Sequence, residues 1–104
     1  MYSVLLTHKA VQDLSAATGY IEHTLSSPSA AQGLLDAFEK LLGQLETMPE
    51  AHSFMRDDLL AYAGYRWAPF GSYLAFFIVD AENQEVVIER IAHESRDWKA
   101  LLGQ

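Results

Sequence analysis

The last forty positions of this 104-residue sequence hold most of the side chains that could do chemistry. Four of its seven lysines and arginines lie there. Guanidinium and ammonium groups hold phosphate or carboxylate oxygens and stabilise developing negative charge, and a histidine among them could move a proton. A cationic and aromatic cluster of this kind is typical of an anion-binding or protein-binding site. Its members are Tyr65, Arg66, Arg90, His93, Arg96, Trp98 and Lys99.

Ordinary ion pairing is the alternative explanation for these cations. The chain carries 14 acidic and 7 basic residues, a formal net charge of −7. Carboxylates such as Glu89, Glu94 and Asp97 could each neutralise a nearby arginine, and the cations would then be structural. Alternation along the last predicted strand decides which side chains share a face. It places Val86, Ile88, Arg90 and Ala92 on one face and Val87, Glu89, Ile91 and His93 on the other.

Several other chemistries are excluded or disfavoured by the sequence. The sequence has no cysteine, which excludes thiolate metal sites and a cysteine nucleophile. Its four histidines lack metal-ligand spacing. We therefore expect no metal and no cofactor. The glycines form no phosphate-binding loop. The Asp57-Asp58 pair is interpreted as solvated or as a helix cap. A net charge of −7 counts against binding to a nucleic-acid backbone.

Two features bear on localisation. No apolar run approaches the roughly 20 residues that a membrane span needs. Residues 1–10 lack the basic region and long apolar stretch of a signal peptide. We therefore expect a cytoplasmic protein with no membrane contact.

The first half of the chain predicts a strand and two helices. Residues 2–6 alternate as a strand, and Thr7 can cap a helix whose apolar positions run from Ala10 to Leu25. Ser27 and Pro28 are a good cap and first residue for a second amphipathic helix, which Pro49 ends near Met48. The short link between them predicts an antiparallel helical hairpin.

The second half predicts strands. Residues 50–64 are aperiodic, with a helical turn at 57–62. Strands follow at 65–70, where Pro69 indicates a sheet edge, at 73–79 and at 85–93, and Gly71-Ser72 suits a type II′ turn. Ser95 is the predicted cap of a short final helix. The predicted fold class is therefore α+β, in the order β-α-α-β-β-β plus a short C-terminal helix. We expect one domain over residues 1–104. The helical hairpin should cover one face of a small, antiparallel-rich sheet and leave the other face open.

Four runs of residues together resemble a known family. They are Gly64-Tyr65-Arg66, the strand YLAFF at 73–77, the strand VIERIAH at 87–93, and Arg96-Asp97. With the front-half segments HKAVQDL and SPSAAQGLLDAFEKLLGQLETMP, they resemble the RelE/ParE toxins of type II toxin–antitoxin modules over nearly the whole chain. The resemblance implies a plasmid-stabilisation or addiction toxin that a cognate antitoxin neutralises.

Two activities occur in that superfamily. RelE-type members are ribosome-dependent endoribonucleases that use strand lysines and arginines, whereas ParE-type members inhibit DNA gyrase by protein contact. This sequence keeps a cation at Arg66 but has Ala68 and Leu74 where RelE-type enzymes carry a second lysine and an arginine, and Trp98 with no tyrosine in the last helix. We therefore place it closer to the ParE-like branch and expect no enzymatic activity.

The resemblance also implies which residues meet partners. If the protein were a ribonuclease, the catalytic set would be Arg66, Arg90, His93, Arg96 and Lys99. As a gyrase inhibitor it would bind its target with Tyr65, Arg66, Arg90, His93, Arg96 and Trp98. The antitoxin, which would suit an acidic toxin with a basic segment, would contact Tyr20, Phe54, Tyr62, Leu101 and Leu102. A homodimer and a non-toxic binding module of the same fold are left open.

Overall fold

A computed structural model describes residues 1–102, and its elements follow the predicted order. The chain runs through β1 (Ser3–Leu6), α1 (His8–Gly19), a π-helical stretch (Tyr20–Thr24), α2 (Pro28–Thr47), a 3₁₀ turn (Pro49–Ala51), α3 (Asp58–Tyr62), β2 (Tyr65–Phe70), β3 (Tyr73–Asp80), β4 (Glu85–His93) and α4 (Trp98–Leu102). The predicted α+β class is confirmed.

Local side-chain chemistry sets the helix starts as predicted. The Thr7 hydroxyl accepts a hydrogen bond from the Ala10 N–H at 3.0 Å, and the Ser27 hydroxyl accepts one from the Ala30 N–H at 3.3 Å. Pro28 follows as the first residue of α2, where no N–H is needed. The final predicted turn of the first helix differs, because the backbone widens there into the π-helical stretch.

The sheet has the strand order β1-β4-β3-β2, with β1 parallel to β4 and the other two pairs antiparallel. The edge position predicted for the strand with Pro69 is confirmed, since β2 is an outer strand. The segment before it shields part of that edge: the Met55 N–H donates to the Tyr65 carbonyl and the Trp67 N–H to the Ser53 carbonyl. Gly71 has φ +58°, the positive value that the first residue of the β2–β3 turn requires.

The helical hairpin covers one face of the sheet and forms the larger core. Four apolar residues on one side of α2 pack against the strands, where Phe77 and Ile88 are fully buried. The α2 residues are Leu34, Phe38, Leu41 and Leu45. We call this side the helix face of the sheet.

The opposite side, the α4 face, was predicted to be open and is in fact partly covered. Met55, Leu60 of α3, Phe76 and Ala92 form a second, smaller core there, and Trp98 of α4 packs against it. A second correction concerns the start of α4. The Asp97 carboxylate accepts the N–H of Lys99 at 3.1 Å, whereas the predicted cap, Ser95, has its hydroxyl 2.8 Å from Nδ1 of His93.

Candidate functional site

An irregularity in β4 divides the predicted cationic cluster between the two faces. Phe76 pairs with Arg90 but the next residue, Phe77, pairs with Ile88, so Glu89 is an extra residue in β4. One inserted residue moves every later side chain of the strand to the opposite face of the sheet. Arg90 therefore lies on the face of its pairing partner Phe76, the α4 face, and Ile91 joins the helix-face core. The facing predicted from simple alternation was wrong beyond Ile88.

Arg66 and Arg90 consequently lie on opposite faces of the sheet. Arg66 pairs with Phe77, which belongs to the helix-face core, while Arg90 pairs with Phe76 of the α4-face core. Because β3 also separates their strands, these two guanidinium groups do not form the joint cationic site that the sequence suggested.

Arg90 is held by a carboxylate from α1. Its Nε donates to Oδ2 of Asp13 at 2.8 Å and its Nη2 to Oδ1 at 3.0 Å, a two-pronged pair between half-buried side chains. The Ile91 N–H donates to the same Oδ2 at 3.0 Å. These hydrogen bonds from the guanidinium to Asp13 raise the pKa of Arg90. Ion pairing of this arginine was foreseen, but its partner is 77 positions away rather than Glu89, Glu94 or Asp97.

Asp13 lies beside β4 because β1 ends early and the chain turns into α1. The last parallel pair joins Leu6 to Ile88, and the chain then turns into α1. Beyond that point β4 has no neighbouring strand on its β1 side. The Asp13 carboxylate there accepts a hydrogen bond from the backbone N–H of Ile91. The pair therefore ties the helix layer to the α4 face.

Arg66 is occupied by the segment that covers the β2 edge. Its Nη1 donates to the carbonyl of His52 at 2.7 Å and to that of Glu50 at 3.3 Å. Its guanidinium carbon lies 3.8 Å from the centroid of the Phe54 ring, a cation–π contact. Burial and the nearby charge of Arg66 lower the pKa of His52. Phe54, expected to contact an antitoxin, is half exposed with this arginine stacked on it.

The other predicted site residues lie at the surface, at the end of β4 or after it. His93 is exposed with its ring against Tyr73 at a centroid distance of 5.2 Å, and its Nδ1 accepts the Ser95 N–H. Arg96 is exposed and forms no ion pair within residues 1–102. Lys99 lies 3.7 Å from the Asp57 carboxylate and 5.8 Å from the Trp98 ring centroid.

Three cavities surround α4 on its face of the sheet. The first, of about 260 Å³, is lined by Met55, Arg56, Trp67, Leu74, Phe76 and Trp98, and we call it the tryptophan cavity. Both tryptophans of the sequence line it. Leu74 lines this cavity, at the position where the resemblance implies an arginine in RelE-type enzymes. This wall is therefore apolar rather than cationic.

The other two cavities flank the far side of α4. One, of about 220 Å³, lies between α1 and α4, and one of about 430 Å³ lies between α3 and α4. Tyr65 and Leu102 line both, and Leu101 lines the first of them. Burial, with the charge of Glu89, raises the pKa of Tyr65. The structure thus brings Tyr65, Arg90, Lys99 and Trp98 to one face and leaves Arg66 on the other.

The residues expected to contact an antitoxin lie on several different helical segments and loops. Tyr20 is exposed in the π-helical stretch and Tyr62 is 94% exposed on α3, whereas Leu101 and Leu102 are half-buried on α4. Sequence reasoning missed two residues of this region, Arg56 and the exposed Leu59. Both lie in the aperiodic stretch 50–64, which offered no pattern by which to find them.

Two further searches of the described residues bear on function. Within residues 1–102, no group of three histidine, aspartate or glutamate side chains is arranged to hold a metal ion. Over the same part of the chain, none of the helices combines the length and apolar character required to cross a bilayer.

Comparisons with known proteins bear on the family and the fold. A family model described as the ParE toxin of the type II toxin–antitoxin system parDE matches residues 4–98. The chromosomal ParDE system of P. aeruginosa superimposes with a TM-score of 0.70 at 22% identity, covering 89% of this chain and 96% of that one. The RelBE2 toxin–antitoxin complex of Mycobacterium tuberculosis does so with a TM-score of 0.58 at 25% identity, covering 88% and 96%. No curated protein matches in sequence.

Proposed function

The chain belongs to the ParE toxin family of type II toxin–antitoxin systems, and from that premise we propose that it is a ParE-like toxin that acts in the cytoplasm by protein contact rather than by RNA cleavage. DNA gyrase is the target that the family implies. In this proposal a cognate antitoxin binds and neutralises the toxin; the structural neighbours are a ParDE toxin–antitoxin system and a RelBE2 toxin–antitoxin complex. In this proposal the module serves plasmid stabilisation.

One observation carries the choice of mechanism: the cations that a ribonuclease would need are dispersed or engaged. Arg90 is paired with Asp13, Arg66 donates to backbone carbonyls on the opposite face, and Leu74 makes the α4-face wall apolar. Phosphoryl transfer without a metal depends on several cations aimed at one reacting phosphate. An apolar cavity instead suits a protein partner, since aromatic pockets dominate interface energetics.

Charge supports the same proposal. At −7, the protein is repelled by ribosomal RNA, and such repulsion lowers both encounter rate and affinity. Exposed apolar residues near the α4 face, notably Leu59 and Tyr62, are surfaces of the kind that antitoxins or targets cover. We propose that Tyr62, Leu101 and Leu102 contribute to antitoxin binding and that Tyr65, Arg96 and Trp98 contribute to target binding.

The experiment that tests the proposal is tightly controlled expression in a bacterial host, with DNA and protein synthesis followed separately. We expect DNA synthesis to stop first and the cells to become filamentous, and co-expression of the cognate antitoxin to restore growth. Purified protein should inhibit supercoiling by gyrase in the absence of ribosomes. Prompt arrest of translation with cleaved mRNA would contradict the proposal and establish a RelE-like ribonuclease. Unimpeded growth together with uninhibited gyrase would leave a non-toxic binding module.

A further inference from the structure

Residues 50–57, which we call the edge segment, run around the β2 edge from one face of the sheet to the other. Phe54 pairs with Arg66 in an isolated antiparallel bridge, flanked on each side by one backbone hydrogen bond between the segment and β2. Directly paired side chains share a face, so Phe54 lies toward the helix face with Arg66, whereas the next residue, Met55, joins the small core of the α4 face. The edge segment therefore links the two faces.

Arg66 holds the helix-face end of the edge segment by three contacts. Its Nη1 donates to the His52 carbonyl at 2.7 Å and to the Glu50 carbonyl at 3.3 Å. Its guanidinium carbon also lies 3.8 Å from the centroid of the Phe54 ring. These contacts use the guanidinium as a planar donor and as a stacked cation at the same time, which a lysine ammonium cannot reproduce. We call this set of contacts the arginine clasp.

The other end of the edge segment holds α4. The Met55 side chain lies in the small core, and Trp98 of α4 packs against that core. Asp57 ends the segment, and its carboxylate caps α3 and lies 3.7 Å from Nζ of Lys99 in α4. None of the five residues of α4 is fully buried, and so short a helix is not stable alone. The position of Trp98 therefore depends on contacts with the edge segment.

We propose that Arg66 is a positioning residue for target binding, which holds the edge segment on the helix face, thereby keeps α4 and Trp98 in place on the opposite face, and does not touch the target. The inference rests on the proposed function, because it concerns how the proposed target-binding surface is held. It replaces the direct contact that the resemblance implied for Arg66. A segment that is held only about a tenth of the time lowers the apparent affinity about tenfold.

Hydrogen exchange tests the arginine clasp without any partner. Arg66→Lys keeps the charge but lacks the planar fork, so we expect exchange of the Met55 and Trp67 N–H groups, which bond across the bridge, to accelerate at least about tenfold. The N–H of the fully buried Phe77 should keep its rate, which shows that the opening is local. Lys40→Arg, the reverse exchange of cations at an exposed position of α2, is the matched control and should change none of these rates.

Tryptophan emission reports the far end of the edge segment. The two tryptophans of the sequence, Trp67 and Trp98, both line the tryptophan cavity. If the arginine clasp places α4, loosening the segment admits water to these rings. We therefore expect the emission of Arg66→Lys to shift to longer wavelength and that of Lys40→Arg to match the wild-type protein.

A disulfide can replace the arginine clasp, because the sequence has no cysteine of its own. Phe54 and Arg66 form a non-hydrogen-bonded antiparallel pair, in which Cα atoms lie about 4.5 Å apart, within the range that a disulfide spans. The double variant Phe54→Cys/Arg66→Cys lacks the guanidinium and the ring, and its oxidised and reduced forms differ only in the bond. We expect the oxidised form to inhibit supercoiling by purified gyrase at a concentration at least about fivefold lower than the reduced form. The cysteine-free wild-type protein is the control for the reductant.

Three results would overturn the inference. They are unchanged exchange at Met55 and Trp67 in Arg66→Lys, full gyrase inhibition by Arg66→Lys, and equal inhibition by the oxidised and reduced forms of the cysteine variant. The second result would show that Arg66 acts through its charge. If the wild-type protein does not inhibit gyrase, the proposed target fails, and the difference in emission between the oxidised and reduced forms still tests whether the clasp places α4. If the wild-type protein inhibits gyrase and both forms are equally potent, the inference alone fails.

Discussion

The two faces of the sheet in this protein are covered in different ways. The helix face is closed by α1 and α2 over fully buried residues such as Phe77 and Leu45, and its packing is continuous. The α4 face is covered by short helices and bordered by three cavities. The comparison teaches that the larger core, which we expect to supply most of the stability, lies on one face, and that the surface proposed to bind partners lies on the other.

The largest expected effect is on the helix face. Phe77→Ala should lower the free energy of unfolding by about 3–5 kcal/mol, because it removes a fully buried ring and leaves a cavity. Urea unfolding followed by circular dichroism measures the loss. Leu59→Ala, at an 81% exposed position of α3, is the matched control and should change stability by less than about 0.5 kcal/mol. A loss below about 1.5 kcal/mol for Phe77→Ala would mean that the helix face is not the main source of stability.

The ion pair between Asp13 and Arg90, which links α1 to the α4 face, should give the next largest effect. Asp13→Ala removes the carboxylate that receives hydrogen bonds from Arg90 and from the Ile91 N–H, and should cost about 2 kcal/mol in unfolding free energy. A double-mutant cycle with Arg90→Ala should show that the two losses are not additive. Glu94→Ala, an exposed acidic residue just after β4, is the control. Additive losses would show that the pair does not couple the layers.

A pH effect should come from the segment that covers the β2 edge. Burial and the charge of Arg66 hold the pKa of His52 below its ordinary value of 6.5. Its neutral form is thus favoured in the folded protein, while the unfolded chain takes up the proton more readily. The stability linked to His52 is therefore present above about pH 6.5 and is lost as pH falls toward the lowered pKa of the folded state.

This pH dependence can be measured as a difference between two proteins. We expect the unfolding free energy of the wild-type protein to fall more steeply between pH 7 and pH 5 than that of His52→Gln, with the contributions of the carboxylates cancelling in the comparison. Parallel curves for the two proteins would contradict the prediction.

The smallest stability effect should come from an exposed residue of α3 that we propose to contact the antitoxin. Tyr62→Ala removes a 94% exposed ring and should change the unfolding free energy by less than about 0.5 kcal/mol. If Tyr62 anchors the antitoxin, affinity for the antitoxin should fall at least about tenfold, as calorimetry with the purified partner would show. Met48→Ala, exposed at the end of α2 and outside the predicted antitoxin set, should leave that affinity unchanged. Equal affinities for both variants would remove Tyr62 from the interface.

Most of the fold could be predicted because its signals are local. The caps at Thr7 and Ser27, Pro28 at the start of α2, the Gly71 turn and the edge proline Pro69 each act within a few residues, and the structure confirms them. The candidate site could be predicted only in part. The residue types in the last forty positions were identified, but the extra Glu89 in β4 changed the face on which Arg90 lies.

The amino-acid sequence by itself determined the order of elements, the family and the acidic charge, since apolar periodicity, turn chemistry and composition are properties of neighbouring residues. Only the tertiary structure decided that Asp13 pairs with Arg90 across 77 positions, that Arg66 and Arg90 lie on opposite faces, and that both tryptophans line one cavity. Each of these depends on strand register and on which segments pack together, and one inserted residue is enough to reverse the outcome. Local sequence patterns therefore predicted the elements and the types of side chain in the site, whereas long-range packing decided which of those side chains meet.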